Sequence, residues 1–358
     1  MDGLKAFDEL LYVYDEYISK SCNSKKKVYM FEKHKMFNIN NIYNKLINDY
    51  KMSGYNIFLI RHPKYRIIMS LNMYDKVINH YITLKYLIPN LTKYLDDRNI
   101  ATRKGYGIKL IKKYIEKNKK YGKFYILKLD ISKYFYNIDH DILKSMLKGR
   151  LDDFSYNIIC KIMDSTNLLY INEKIIKLKN NELKYNYRIN EIKEIYDKGL
   201  PIGNMTNQFL AIYYVYKLDH YIVHDLKIKY MIRYMDDYIL IHYDKNYLKK
   251  CLLDIGEKLE KEYKLTVNTK KTKIYESDFG FNFLGYKFKV INSKTMITIS
   301  KNAYVRVVKN LNVKMKNYSN SNFCYYYNSF SNYYNSFKYS KSLVLKRVIN
   351  KRPLRSFK

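Results

Sequence analysis

The chain has 358 residues, 67 Lys+Arg against 33 Asp+Glu, a formal net charge of +34 and no tryptophan. That length accommodates a large core and one multi-lobed enzyme or two domains, and a positive charge of this size opposes self-association and attracts polyanions, nucleic acid before anionic membrane. Four scattered cysteines (Cys22, Cys160, Cys251, Cys324) form no Cys-x-x-Cys or Cys/His cluster, which argues against zinc and against a disulfide framework.

The acidic start, Met1 to Glu9, reads as a helix and not as a signal peptide. No apolar run approaches the roughly 20 residues of a membrane span, so a soluble cytoplasmic protein is expected, with no membrane partner. Residues 4–20 have the amphipathic spacing of a helix (Leu4, Phe7, Leu10, Leu11, Tyr14, Ile18), 23–28 read as a polar, Lys-rich break, and 41–60 as mixed structure. Phe58 to Met69 reads as a hairpin around Pro63 that presents Lys64 and Arg66. A helix is expected from Asp75 to Tyr86. The basic, glycine-spaced turn Arg103-Lys104-Gly105-Tyr106-Gly107 then precedes a helix at 108–119.

Lys123 to Asp130 has the pattern of a buried strand ending in a carboxylate, and Asn137-Ile138-Asp139 caps a helix beginning near His140. Residues 146–198 are mostly polar, helical or irregular. Gly199-Leu200-Pro201-Ile202-Gly203-Asn204 is a loop, and Met205 to Tyr221 a long helix. Two β-rich runs, 229–233 and 238–242, flank Tyr234-Met235-Asp236-Asp237 and predict a tight hairpin. A helix at 245–263 follows, then short strands at 265–267, 272–275 and 281–289, and helical spacing from about residue 300. The order predicts an α+β fold, an antiparallel sheet carrying the carboxylates with helices on its other face.

Like charges fixed at a hairpin tip repel unless a cation lies between them. The other acidic pairs, Asp96-Asp97 and Asp152-Asp153, lie between no such apolar runs and read as solvated turn or cap residues. Asp130, Asp236 and Asp237 together offer the oxygens that two magnesium ions need alongside substrate phosphates. Such a pair activates a hydroxyl and stabilises a leaving pyrophosphate. After Asp278 the remaining 80 residues contain no Asp or Glu. That tail excludes a carboxylate-dependent nuclease module and suits a phosphate backbone.

Asp130-Ile131-Ser132-Lys133-Tyr134-Phe135 with Asn137-Ile138-Asp139-His140-Asp141, then Gly199 to Asn204, then Tyr-Met-Asp-Asp, resemble in order and spacing motifs A, B and C of bacterial reverse transcriptases. The hairpin with Lys64 and Arg66, and Asp75 to His80, resemble the family's fingers motifs. Lys271-Thr272-Lys273-Ile274 and Phe283-Leu284-Gly285-Tyr286 resemble motif D and the primer grip. The resemblance covers roughly 55–290. It implies a right-handed fingers–palm–thumb polymerase fold with an antiparallel palm sheet and a helical thumb. The implied divisions are an N-terminal helical extension (1–54), fingers (55–120), palm (121–145), a fingers insertion (146–198), palm (199–290) and a basic helical thumb (291–358). Asp130, Asp236 and Asp237, with the Ile131 carbonyl, would hold two Mg2+ ions, with Mn2+ able to replace them. Phe135 would exclude ribonucleotides, and Lys271 would protonate pyrophosphate, with Lys270 and Lys273 competing for that place. Lys64, Arg66, Arg103, Lys104, Gly199, Pro201, Ile202, Gly203 and Gln208 would face substrate, and Phe283, Leu284, Gly285 and Tyr286 the primer. Phe135 and the 283–286 segment also suit plain core packing, and the basic residues solvated surface.

Many relatives carry glutamine where this chain has Ile202. An aliphatic residue there, followed by Gly203-Asn204-Met205-Thr206-Asn207-Gln208, most resembles reverse transcriptases of diversity-generating retroelements, which copy template adenine with errors; Asn207 departs from their usual serine. The implied partners are an RNA template, a DNA or RNA primer, deoxynucleotides, and a small basic accessory protein or a dedicated non-coding RNA. Two alternatives stand beside this reading. One is a defence-associated enzyme making DNA with its own RNA; the other is an inactive RNA-binding relative.

Overall fold

The computed structural model describes residues 3–22, 24–61, 65–101, 106–166, 169–183 and 198–305. The N-terminal helix α1 (Gly3–Val13) runs on into a π-helical turn, Tyr14–Ser19, and buries Leu10, Tyr14 and Ile18. The Lys-rich break expected at 23–28 is instead the start of helix α2 (Lys25–Glu32). Ser24 caps it by accepting the Lys27 N–H, and lysine is a good helix former once an end is capped. Helix α3 (Lys35–Ile47) packs beside α1.

Strands β1 (Tyr55–Ile60) and β2 (Arg66–Leu71) form the expected antiparallel hairpin. Helix α4 (Met73–Ile82) follows, capped by Asn72, and a π-helical turn at Thr83–Leu87 leads to α5 (Ile88–Leu91). Asp75 on α4 is fully buried. It accepts hydrogen bonds from Lys45 Nζ at 2.6 Å and from the Ser53 N–H at 2.8 Å, so its work is to clamp α3 and the loop before β1. Helix α6 (Tyr106–Asn118) carries the buried Gly107 in its first turn, which lets Ile100 and Leu284 come close: a Cβ there would lie 2.3 Å from Ile100 Cδ1.

The central sheet has the order β4-β5-β3-β6, with β3 (Tyr125–Asp130), β4 (Tyr230–Tyr234), β5 (Asp237–His242) and β6 (Lys273–Glu276), all antiparallel. Its two faces separate by alternation. Leu127, Leu129, Met231, Tyr238 and Leu240 point into the main helical core. Ile126, Ile232, Ile239 and Ile241 point into a second core shared with α6 and a three-stranded sheet. That sheet comprises β7 (Phe281–Phe283), β8 (Tyr286–Ile291) and β9 (Lys294–Ile299).

The main core is filled by short α7 (Tyr134–Asn137), α8 (His140–Leu147), α9 (Asp153–Asp164), α11 (Met205–Tyr214) and α13 (Lys245–Tyr263). Asp139, Asp152 and Asp244 cap α8, α9 and α13 with their carboxylates. Helix α10 (Leu169–Leu183) covers the β1–β2 hairpin, burying Ile171 and Ile175 against Tyr55, Ile67 and Met69. This is an α+β arrangement, with helices backing an antiparallel sheet.

Four further expectations are corrected. The single helix expected over 205–221 breaks at β-branched Val215, whose backbone leaves the helical range (φ −107°, ψ 22°); α12 (Tyr216–His220) and a π-helical turn (Tyr221–Asp225) follow. The strand expected at 281–289 is a hairpin that turns at Leu284-Gly285, both at positive φ. Strand β9 occupies residues expected to begin a helical thumb, and helical backbone starts only at Lys301. Asp96 is no solvated turn residue: it is buried, accepting from the Arg98 N–H and guanidinium. The basic segment from Arg306 onward lies outside the described residues, as do Lys64, Arg103 and Lys104. Among the described residues no helix is long and apolar enough to cross a membrane.

Candidate active site

Strand pairing builds the site. In the register of β3 with β5, Asp130 lies opposite Asp237, and in the register of β4 with β5, Tyr234 lies opposite Asp237. The two-residue turn Met235-Asp236 closes the hairpin with Met235 at φ +55°, a left-handed conformation uncommon for a side-chain-bearing residue. Its cost is met by a buried network. Arg233, fully buried on β4, donates Nε to both oxygens of Asp219 at 2.8 and 2.9 Å. It also donates Nη2 to Asp219 at 2.7 Å and to the Ile212 carbonyl at 2.9 Å, and Nη1 to the Met235 carbonyl at 3.3 Å. Tyr238 Oη adds a bond to Asp219 at 3.1 Å. Arg233 thereby ties the turn to helices α11 and α12.

The three sequence-predicted carboxylates therefore gather at one end of the central sheet. Asp130 is 4% exposed, and its oxygens accept Lys271 Nζ at 2.9 and 2.8 Å and Asn268 Nδ2 at 2.9 Å. Its backbone is pinned as well: the N–H donates to Thr272 Oγ1 at 3.2 Å, and the carbonyl accepts the Asn268 N–H at 2.8 Å. The Ile131 N–H donates to the Asp236 carbonyl at 3.2 Å, locking motif A to the hairpin turn. Burial, then the neighbouring charges of Asp237 and Asp130, push the Asp236 carboxyl up to about 6. Lys128 Nζ lies 3.8 Å from Asp237. Three carboxylates at one end of the sheet, one of them resisting ionisation beside the other two, suit a divalent cation.

The loop at 199–204 is stitched to the turn after Asp130. The Gly199 N–H donates to the Ile138 carbonyl at 2.8 Å and the Leu200 N–H to the Phe135 carbonyl at 2.6 Å, while His140 Nε2 bonds the Gly199 carbonyl at 2.8 Å. Gly199 has φ +89°, and a Cβ would sit 2.8 Å from the Tyr136 carbonyl oxygen, so only glycine passes there. Pro201 is buried, with its carbonyl accepting Asn207 Nδ2 at 3.2 Å; Ile202 is half-buried, and its carbonyl accepts the Met69 N–H of β2 at 3.4 Å. Gly203 and Gln208 are exposed, Phe135 is half-buried against the main core, and Arg66 is exposed at the start of β2.

The 283–286 segment divides. Phe283 and Tyr286 are 2% and 3% exposed within the second core, whereas Leu284 and Gly285 form the tip of the β7–β8 hairpin. Sequence reasoning passed over Asn268, Lys128 and the Arg233–Asp219 pair. Lys128 had a signal, since it stands two residues before Asp130 on the same strand face. Asn268 and the buried pair had none, because only the fold brings them to their partners.

The family described as Reverse transcriptase (RNA-dependent DNA polymerase) matches residues 56–288, well over half of the chain. Among solved structures, an apo telomerase from Candida tropicalis, truncated from its C-terminal domain, is similar at 15% identity and a TM-score of 0.45. The match covers 68% of this chain and 55% of that one, so the chain spans about half the length of that relative. No curated protein matches the sequence.

Proposed function

The chain belongs to the reverse transcriptase family, and on that premise we propose that it copies an RNA template into DNA at two magnesium ions held by Asp130, Asp236, Asp237 and the Ile131 carbonyl. The observation that carries this reading is the in-register pairing of Asp130 with Asp237 beside the Asp236 turn. When bound, such ions supply activation of the primer 3′-hydroxyl and neutralisation of charge on the leaving pyrophosphate. The chain's own residues do the positioning. Asn268 and Thr272 fix the Asp130 side chain and backbone, and Arg233 fixes the turn.

Lys271 is half exposed and bonded to Asp130, beside the proposed metal site, which suits a proton donor to the leaving pyrophosphate. Phe135, on backbone tethered to Leu200, suits the gate that rejects a ribose 2′-hydroxyl. Residues 55–120 and 146–198 serve as fingers, 121–145 and 199–290 as palm, and 291–358 as thumb. The β2 contact of Ile202 supports a place for it against the fingers, where it would bear on base selection.

Ile202 in place of glutamine supports the diversity-generating branch, with errors concentrated at template adenine. The test is primer extension on an RNA template with magnesium and four deoxynucleotides, followed by sequencing, for the wild type, Asp236→Ala and Ile202→Gln. The expected result is extension by the wild type, none by Asp236→Ala, and fewer adenine-opposed errors in Ile202→Gln. An unchanged error spectrum in Ile202→Gln would refute the branch reading. Product made without added template would favour the defence-associated alternative.

A further inference from the structure

We propose that Asp96, His220 and His224 form a second metal site, built for a transition ion such as Zn2+ and separate from the catalytic carboxylates. One ligand atom from each lies within 4.8 Å of the other two. His220 ends α12 and His224 lies in the following π-helical turn, so the two rings share one face of the helical segment, with centroids 5.8 Å apart and planes 14° apart. His220 Nε2 lies 2.8 Å from the Tyr94 carbonyl. A carbonyl only accepts, so Nε2 is the protonated nitrogen and the Nδ1 lone pair is left for a ligand. Ring orientation by a backbone carbonyl is the usual support of a metal-binding histidine.

Asp96 supplies the carboxylate from the other side. It is 8% exposed and held by the Arg98 N–H at 2.8 Å and the Arg98 guanidinium at 2.8 and 3.0 Å. A carboxylate has about four acceptor positions, so these bonds leave room for an ion. Two imidazoles with one carboxylate select Zn2+ and its transition-metal neighbours over Mg2+, which prefers oxygen. Zn–N and Zn–O bonds of about 2.0–2.1 Å require ligand atoms roughly 3.4 Å apart in a tetrahedron, so closing the set takes a rotation of the exposed His224 ring out of its stacked position beside His220. His224 is exposed, which gives the ion a route in and water a fourth position.

The expectation against zinc weighed Cys/His clusters in sequence; His220 and His224 stand only four residues apart, but Asp96, more than a hundred residues upstream, joins them only in the fold. Asp96 opens the segment that pairs with β4, where the Arg233 N–H donates to the Arg98 carbonyl at 3.0 Å and the Ile100 N–H to the Arg233 carbonyl at 2.9 Å. An ion joining Asp96 to α12 would therefore brace the strand that carries the catalytic turn. It would act as a structural element with no part in the chemistry.

The test is equilibrium Zn2+ binding to the full chain in saturating Mg2+, with stoichiometry by elemental analysis and the thermal midpoint as a second readout. The same titration is run on Asp236→Ala/Asp237→Ala, His224→Ala and Asp96→Asn. The proposal predicts one Zn2+ bound and a raised midpoint in the wild type. Both are retained when the catalytic carboxylates are removed, and affinity falls about tenfold or more in His224→Ala and Asp96→Asn. His224 is exposed, so its variant folds and reports on the site even where Asp96→Asn does not. No bound Zn2+ in the wild type, or equal affinity in His224→Ala, would overturn it.

Discussion

At the residue scale the proposed active site works against the stability of its own fold. Asp130, Asp236 and Asp237 are gathered by strand register, and without a counter-ion burial and like charge both oppose ionisation of Asp236. Removing one of these charges relieves that repulsion while destroying the proposed ligand set. We therefore expect metal-free Asp236→Asn to be more stable than the wild type by about 1–2 kcal/mol, measured by urea unfolding in chelator. Magnesium should narrow or reverse the difference. A variant less stable than the wild type in chelator would show that Asp236 is not held under repulsion.

At the scale of elements, the catalytic turn is held by the Arg233–Asp219 pair, both residues wholly out of solvent. Breaking a buried pair from one side strands a charge and costs about 3–5 kcal/mol. Arg233→Met should lose about that much in denaturant unfolding, and Arg233→Met with Asp219→Leu should recover a large part. Strict additivity of the two single losses would mean that the pair does not act as a unit. This network was hidden from sequence reasoning because Asp219 reads as one more polar position on a helix, and its partner lies across a strand. The catalytic hairpin was readable, since its two β-rich runs differ sharply from the turn between them. Helix α13 was readable end to end because Asp244 caps it and its apolar spacing is regular. The break at Val215 and the turn at Leu284-Gly285 were not: a single β-branched residue is common inside helices and marks no end by itself, and a leucine at positive φ goes against local preference.

For the whole molecule, the excess of lysine and arginine is the feature that would meet nucleic acid on the proposed reading. If several phosphates are neutralised on binding, the logarithm of affinity for a duplex should fall with the logarithm of salt with a slope of about −0.9 per phosphate contacted. Fluorescence anisotropy with a labelled primer–template across salt concentrations measures it, and a flat response would contradict a basic cleft. The central claim is that the three carboxylates at the end of the β4-β5-β3-β6 sheet carry RNA-directed DNA synthesis. The most direct measurement is the rate of single-deoxynucleotide addition to a primer on an RNA template, at saturating protein, for the wild type and Asp236→Asn. The account predicts addition by the wild type, a loss of about a thousandfold or more in the variant, and primer–template binding within about twofold between the two. Addition by Asp236→Asn at a rate near that of the wild type would contradict it.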